Sequence, residues 1–156
     1  MFYGPSGVGK TMMVEAISTE LGALLINLSP SRLKGKFEGK TDVTRLIHMS
    51  FTVAKDPAYA PAIIYIDECE EYFQSIKKKK GTAAVDKNGS VRFQKDLLIY
   101  KNQYLGKDDR VMVIGTTKMP EKSDVKLLKW KGPTGAPDKQ GFFERFLYFP
   151  FPGYTD

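Results

Sequence analysis

Gly4-Pro5-Ser6-Gly7-Val8-Gly9-Lys10-Thr11 is the stretch on which the reading of this chain turns. It fits the pattern G-x-x-x-x-G-K-[ST] at every position. A loop that wraps a polyphosphate must do so with backbone N–H groups, and side chains there block the approach. Gly4, Gly7 and Gly9 remove that obstacle and permit backbone angles that other residues avoid. The following segment reads as a helix, so the loop delivers its ligand to a helix N-terminus, where free N–H groups and the macrodipole favour anions. In this frame Lys10 reaches the β- and γ-phosphates and the Thr11 hydroxyl ligates Mg2+. Pro5, Ser6, Val8 and Met12 complete the expected nucleotide-binding set. A chance match in a chain of this length is on the order of one in a hundred from average residue usage. Apolar residues before the loop and a helix after it make chance a still poorer explanation.

Ile63-Ile64-Tyr65-Ile66-Asp67-Glu68 is the second chemical element. A continuous apolar run reads as a strand buried on both faces, and it ends in two carboxylates. Open α/β sheets bind ligands at that end of their strands. Asp67 is expected to hold the Mg2+ shell, and Glu68 to orient or deprotonate a hydrolytic water. Alone, a strand ending in Asp-Glu is a weak signal; following a complete phosphate loop it becomes a specific one.

The rest of the chain supplies the scaffold. Residues 11–21 read as a helix with Met12, Met13, Ala16, Ile17 and Leu21 on its inner face and Gly22 as the stop. Residues 24–28 read as a short strand and 41–54 as a helix burying Val43, Leu46, Ile47 and Val53. A strand at 62–66 is followed by a Lys-, Gly- and Asp-rich segment at 77–90, read as a mobile loop. Residues 91–104 read as a weakly amphipathic helix, 111–115 as another buried strand, and 119–141 mostly as loop with a helical turn near 125–130. A last strand is expected at 146–149, with Phe142, Phe143, Phe146, Tyr148, Phe149, Phe151 and Tyr154 as core around it. Met1-Phe2-Tyr3 is short for the strand that a phosphate loop needs before it, so the first strand is expected to be truncated. Alternating strands and helices imply a parallel sheet with helices on both faces. The expected fold class is therefore α/β, a P-loop NTPase three-layer sandwich, with residues 1–156 as one nucleotide-binding core cut from a longer protein.

Composition is compatible with this reading and narrows the partners. The 156 residues suffice for one domain, with ordinary hydrophobic (42%) and charged (27%) content. The single cysteine, Cys69, excludes an intrachain disulfide. No apolar run reaches membrane-spanning length. The net charge of +6, from 24 basic and 18 acidic residues, suits anionic partners, and part of the excess sits in the run 77–80. A solvated loop is the simpler reading of that run. Nucleic acid is disfavoured, because no aromatic-plus-basic pattern accompanies it. His48 has no Cys or His at ligand spacing, which argues against a metal site there. Cys69 reads as a small packed side chain, and Trp130 as local packing or a partner contact.

The order of phosphate loop, Lys36-Phe37-Glu38-Gly39, strand-Asp67-Glu68 and strand-Gly115-Thr116-Thr117 resembles the AAA+ ATPases over nearly the whole chain. Within that family it is most similar to the IQ motif and AAA domain-containing proteins, described as a component of the nexin–dynein regulatory complex of motile cilia. That similarity rests on residues 2–11, on Asp109-Arg110-Val111-Met112-Val113-Ile114-Gly115-Thr116-Thr117, and on Pro150-Phe151-Pro152-Gly153-Tyr154. It implies the AAA+ large subdomain without its helical lid, ATP or ADP with Mg2+ as ligands, and axonemal or dynein-regulatory proteins as partners. It also implies calmodulin as a partner through IQ segments outside residues 1–156, and a location in the cytoplasm and cytoskeleton, at the ciliary or flagellar axoneme.

Resemblance also assigns roles, and two positions depart from them. Phe37 falls where unfoldases of the family carry a pore-loop aromatic; a locally packed turn residue is the simpler reading. Thr117 is expected at the nucleotide, but Lys118 stands where the family has the Asn that positions the attacking water, and a lysine cannot accept a hydrogen bond. Thr116 or Thr117 could replace the lost contact, and Lys118 is either a solvated lysine or a cation near the γ-phosphate. In Gln140-Gly141-Phe142-Phe143-Glu144-Arg145, the arginine-finger position is filled by Phe142. Such fingers are worth about 10³–10⁵ in rate, and Arg145 or Lys139 could substitute only after a change of register. The functional expectation is an ATP-binding module with weak or regulated hydrolysis, Lys10 and Glu68 being its catalytic residues. The alternatives are a non-hydrolysing nucleotide-bound scaffold and an active remodelling motor; a small-molecule kinase is disfavoured for want of an acceptor-binding signature.

Overall fold

The computed structural model of the chain describes residues 1–37, 39, 41–74 and 90–151. Five parallel strands form one sheet: β1 (Phe2–Tyr3), β2 (Leu24–Asn27), β3 (Ala62–Ile66), β4 (Val111–Thr117) and β5 (Leu147–Tyr148). Their order is β2-β3-β4-β1-β5. Among the described residues, five α-helices connect them: α1 (Lys10–Leu21), α2 (Pro30–Leu33), α3 (Asp42–Lys55), α4 (Ser90–Ile99) and α5 (Val125–Leu128). The chain continues from α4 into a π-helical turn, Tyr100–Tyr104. Residues 77–80, the surrounding expected loop and Glu38 lie outside the described residues, as do residues 152–154. Among the described residues no helix is long and apolar enough to cross a membrane.

The alternation of side chains along β3 splits the core in two. Ala62, Ile64 and Ile66 pack with Val43, Ile47, Phe51 and Ala54 of α3 and with Phe93, Leu97 and Leu98 of α4. Ile63 and Tyr65 point the other way, against Phe2, Ile114 and Val14 of α1. Period-two alternation with apolar residues at every position is what a strand covered by helices on both faces requires. The larger cluster holds most of the aromatic mass. Phe51, Phe73 and Phe142 are fully buried, each worth about 1.5–3 kcal/mol of transfer free energy.

Several expectations about buried faces need correction. On α1 only Val14 is buried, while Met12, Met13 and Leu21 are exposed; Ile17 is partly buried against the same cluster as Val14. Val53 of α3 is likewise exposed, and the inner face instead runs through Ser50, Phe51 and Ala54. Met112 is also exposed, so β4 becomes buried only from Ile114 onward. The closing aromatics divide. Phe142 and Phe143 are core, Phe146 and Phe149 are half-buried, and Tyr148 and Phe151 are exposed because β5 is a short edge strand.

One buried phenol makes the fold sensitive to alkali. Tyr72 donates to the Leu28 carbonyl at 2.9 Å and stacks on Phe93 with centroids 4.1 Å apart. Burial, with a smaller push from the Glu71 charge, holds it well above its ordinary value of 10. The folded state thus keeps a proton that the unfolded chain releases. Its contribution is complete below pH 10 and is lost as pH rises beyond that value. Thermal melts between pH 9 and pH 11 are expected to show a falling Tm that is shallower in Tyr72→Phe.

Candidate functional site

Three strand ends stand side by side at one edge of the sheet. Ile66 pairs with Gly115 and Tyr3 with Thr117. Carried one residue further, this register sets Asp67 beside Thr116 and Gly4 beside Lys118. The Gly4 N–H donates to the Thr117 carbonyl at 3.2 Å, fixing the start of the glycine loop to the end of β4. Gly4 has φ +150, and a Cβ built there would lie 2.2 Å from the Phe149 carbonyl oxygen. Only glycine fits between the loop and the chain leaving β5.

The loop leaves space for a ligand. Gly7 and Gly9 take φ +80 and +93, and a Cβ at either would meet nothing within 4 Å. Helix α1 begins with Gly9 as its N-cap, with no side-chain cap and no acidic residue in the first turn. Its leading N–H groups and dipole are thus free to face an anion. The Lys10 ammonium curls back to donate to the Gly4 carbonyl at 2.8 Å and the Pro5 carbonyl at 2.6 Å. Burial pulls Lys10 below its ordinary value, Asp67 and Glu70 push it back up, and Lys118 adds to the depression. Lys10, Asp67 and Lys118 therefore share one electrostatic neighbourhood.

A string of hydroxyls joins the loop to the acidic pair. Thr11 Oγ1 lies 3.4 Å from Tyr65 Oη. Tyr65 Oη lies 3.2 Å from Thr116 Oγ1, which donates to Asp67 Oδ1 at 2.6 Å. The Asp67 backbone N–H donates to Ser29 Oγ at 2.7 Å. Glu68 sits in the left-handed region at φ 51, a conformation costing a non-glycine residue on the order of 1 kcal/mol. Its N–H donates to Asp67 Oδ1 at 2.9 Å, and its carbonyl accepts from the Glu71 N–H at 3.1 Å. The bend takes the Glu68 backbone out of the extended conformation of the strand.

The donor set fits Mg2+ and a nucleotide. Thr11 offers a hydroxyl and Asp67 a carboxylate, hard oxygen ligands that leave most of the shell to phosphate and water. Uncapped N–H groups, open glycines and the Lys10 ammonium suit the phosphates.

Other expected positions resolve as follows. Pro5 and Val8 are half-buried, and Ser6, Thr11 and Met12 are exposed along the loop and first turn. Thr117 is buried and its hydroxyl accepts from the Met119 N–H at 3.1 Å, so its side chain serves the turn; it is Thr116 that meets Asp67. Lys118 is exposed. Phe37 packs at the border of the larger core cluster. Phe142 is fully buried between Phe73 and Phe143, with ring centroids 5.0 and 4.7 Å away, whereas Lys139 and Arg145 are exposed. His48 accepts from or donates to Tyr100 Oη at 2.9 Å. The Lys101 ammonium sits 5.5 Å over the Trp130 ring. Sequence reasoning passes over Tyr65 and Ser29. Tyr65 reads there as one more apolar strand residue, and Ser29 as part of a turn.

A family model described as "ATPase family associated with various cellular activities (AAA)" matches residues 1–131. The chain is 38% identical over 117 residues to Dynein regulatory complex protein 11 of Mus musculus, covering 75% of this chain and 13% of that protein. It is 32% identical over 130 residues to Spastin of Xenopus laevis, covering 83% of this chain and 20% of that one. Among solved structures, the FIGL-1 AAA domain in complex with ADP superposes with a TM-score of 0.67 and 25% identity, over 97% of this chain and 42% of the other. The chain thus spans well under a third of the two full-length relatives.

Proposed function

The chain belongs to the ATPase family associated with various cellular activities, and from that premise we propose that it binds Mg-ATP and hydrolyses it slowly, as part of a ciliary dynein-regulatory assembly. The observation carrying the reading is the convergence of the ends of β1 and β3 across β4, with the Thr11 hydroxyl of the loop's helix linked to Asp67 through Tyr65 and Thr116. Lys10 and the N–H groups of the loop and α1 would grip the phosphates. Thr11 and Asp67 would hold Mg2+, which when bound neutralises phosphate charge. Glu68, adjacent to Asp67, would orient the attacking water and take its proton. The ADP-bound FIGL-1 neighbour supports the nucleotide. The dynein regulatory complex relative supports an axonemal location and axonemal partners.

Slow turnover follows from two features. Lys118 replaces a neutral acceptor with a donor-only cation, and Phe142 lies inside the core where a finger would need to project. The same burial favours a second reading, a nucleotide-stabilised scaffold without hydrolysis. Bound ligand at 100 times Kd stabilises a fold by about 2.7 kcal/mol. Two measurements decide. Calorimetry with Mg-ATP is expected to give a micromolar or tighter Kd, and absence of both heat and thermal shift would refute binding. Steady-state phosphate release is expected to fall at least about tenfold in Glu68→Gln, with nucleotide affinity retained. Equal background rates in both proteins would leave only the scaffold.

A further inference from the structure

We propose that Tyr65 is a positioning residue whose hydroxyl sets the Thr11 hydroxyl for a divalent cation, through a hydrogen-bond chain with one fixed direction. The inference rests on the nucleotide-binding reading above and goes further, since neither motif includes a phenol. The direction follows from the far end. A carboxylate only accepts, so the Thr116 proton points to Asp67 Oδ1 across 2.6 Å. With its proton committed, Thr116 Oγ1 accepts at its other side, and Tyr65 Oη donates to it across 3.2 Å. Tyr65 Oη then accepts from the Thr11 hydroxyl across 3.4 Å. The Thr11 proton is drawn toward the sheet, which leaves its lone pairs for the cleft, as a cation ligand requires. Without the phenol, that proton is free to rotate into the cleft and oppose a metal.

Burial supports the assignment. Tyr65 is 4% exposed and Thr116 fully buried, so water does not compete for the bond between them. The Thr11–Tyr65 step is long for an O–H···O bond and is the weakest link, so the expected effect is moderate.

The test is the metal dependence of nucleotide binding, measured by calorimetry with ADP in excess Mg2+ and in excess EDTA. In the unaltered protein Mg2+ is expected to tighten binding. In Tyr65→Phe the affinity in EDTA should stay within about twofold, while the gain from Mg2+ shrinks about three- to tenfold, the worth of one neutral hydrogen bond. Thr116→Val should reproduce the loss and Thr116→Ser should restore it, and this pair keeps the test valid if Tyr65→Phe fails to fold. A purely structural phenol would instead lower affinity equally with and without the metal, and that result overturns the proposal. So does an undiminished Mg2+ gain in Tyr65→Phe and Thr116→Val. Failure of the unaltered protein to bind ADP under either condition would instead remove the nucleotide-binding reading itself.

Discussion

Replacing Lys10 by Ala is expected to weaken Mg-ATP binding by at least about 100-fold while the protein stays folded. The Lys10 ammonium now donates to the Gly4 and Pro5 carbonyls at 2.8 and 2.6 Å. In the proposed complex those donors would turn to phosphate oxygens, and a hydrogen bond from a charged donor is worth about 1.5–3 kcal/mol. Two such bonds correspond to roughly 10²–10⁴ in affinity. The side chain is only half-buried at the mouth of the loop, so its loss should cost the fold about 1 kcal/mol or less. Calorimetry paired with a thermal melt separates the two effects. An Ala variant that binds within threefold of the unaltered protein would take Lys10 out of the phosphate grip. Lys10→Arg is not expected to rescue, because a planar fork does not fit where a compact ammonium curls back on its own loop.

Phe142→Arg, which puts an arginine where the resemblance expects a finger, is expected to unfold the protein and not to raise its activity. Phe142 is wholly buried against Phe73 and Phe143. Truncating such a ring to Ala costs about 3–5 kcal/mol. A guanidinium in the same place adds an unpaired buried charge. Total stabilities of domains run about 5–15 kcal/mol, so little folded protein is expected to remain. Urea unfolding of Phe142→Ala and Phe142→Arg gives the measurement. A Phe142→Arg protein with an unchanged midpoint and faster phosphate release would mean that the side chain can leave the core and act as a finger.

These two residues mark how legible the site is in the sequence. Lys10 is plain because a loop that binds phosphate through its backbone needs glycine and lysine at set spacings. Asp67 and Glu68 are plain because nothing apolar explains a carboxylate pair after Ala62–Ile66. Phe142 is legible as a departure, but its burial is not, since the packing partner Phe73 lies far away along the chain. Tyr65 is hidden by its own strand. In a run of buried residues a phenol and a phenyl read alike, and the hydroxyl acquires meaning only when β4 brings Thr116 beside it. The inner face of α1 is misread for a related reason. Helical spacing gives the residues that could be buried, but the partners beneath select among them, and here Val14 and Ile17 meet the sheet. Strand β4 escapes in the same way, because Met112 shares the apolar run with Ile114 and the extent of cover above it decides which one is buried.

The junction of Gly4 with the chain at Phe149 has a mechanical side. Strand β5 is tied to β1 by the Leu147 N–H on the Met1 carbonyl and the Phe149 N–H on the Tyr3 carbonyl, each at 2.8 Å. The Phe149 carbonyl itself presses against the bare Cα of Gly4. Tension applied along β5 therefore has a short path: two hydrogen bonds load the strand that ends in the glycine loop, and one contact loads its first glycine. A pull of that kind would reach the glycine loop directly and, through Phe149 and Phe2, the smaller core cluster with it, so strain in the polypeptide would be felt where the loop begins.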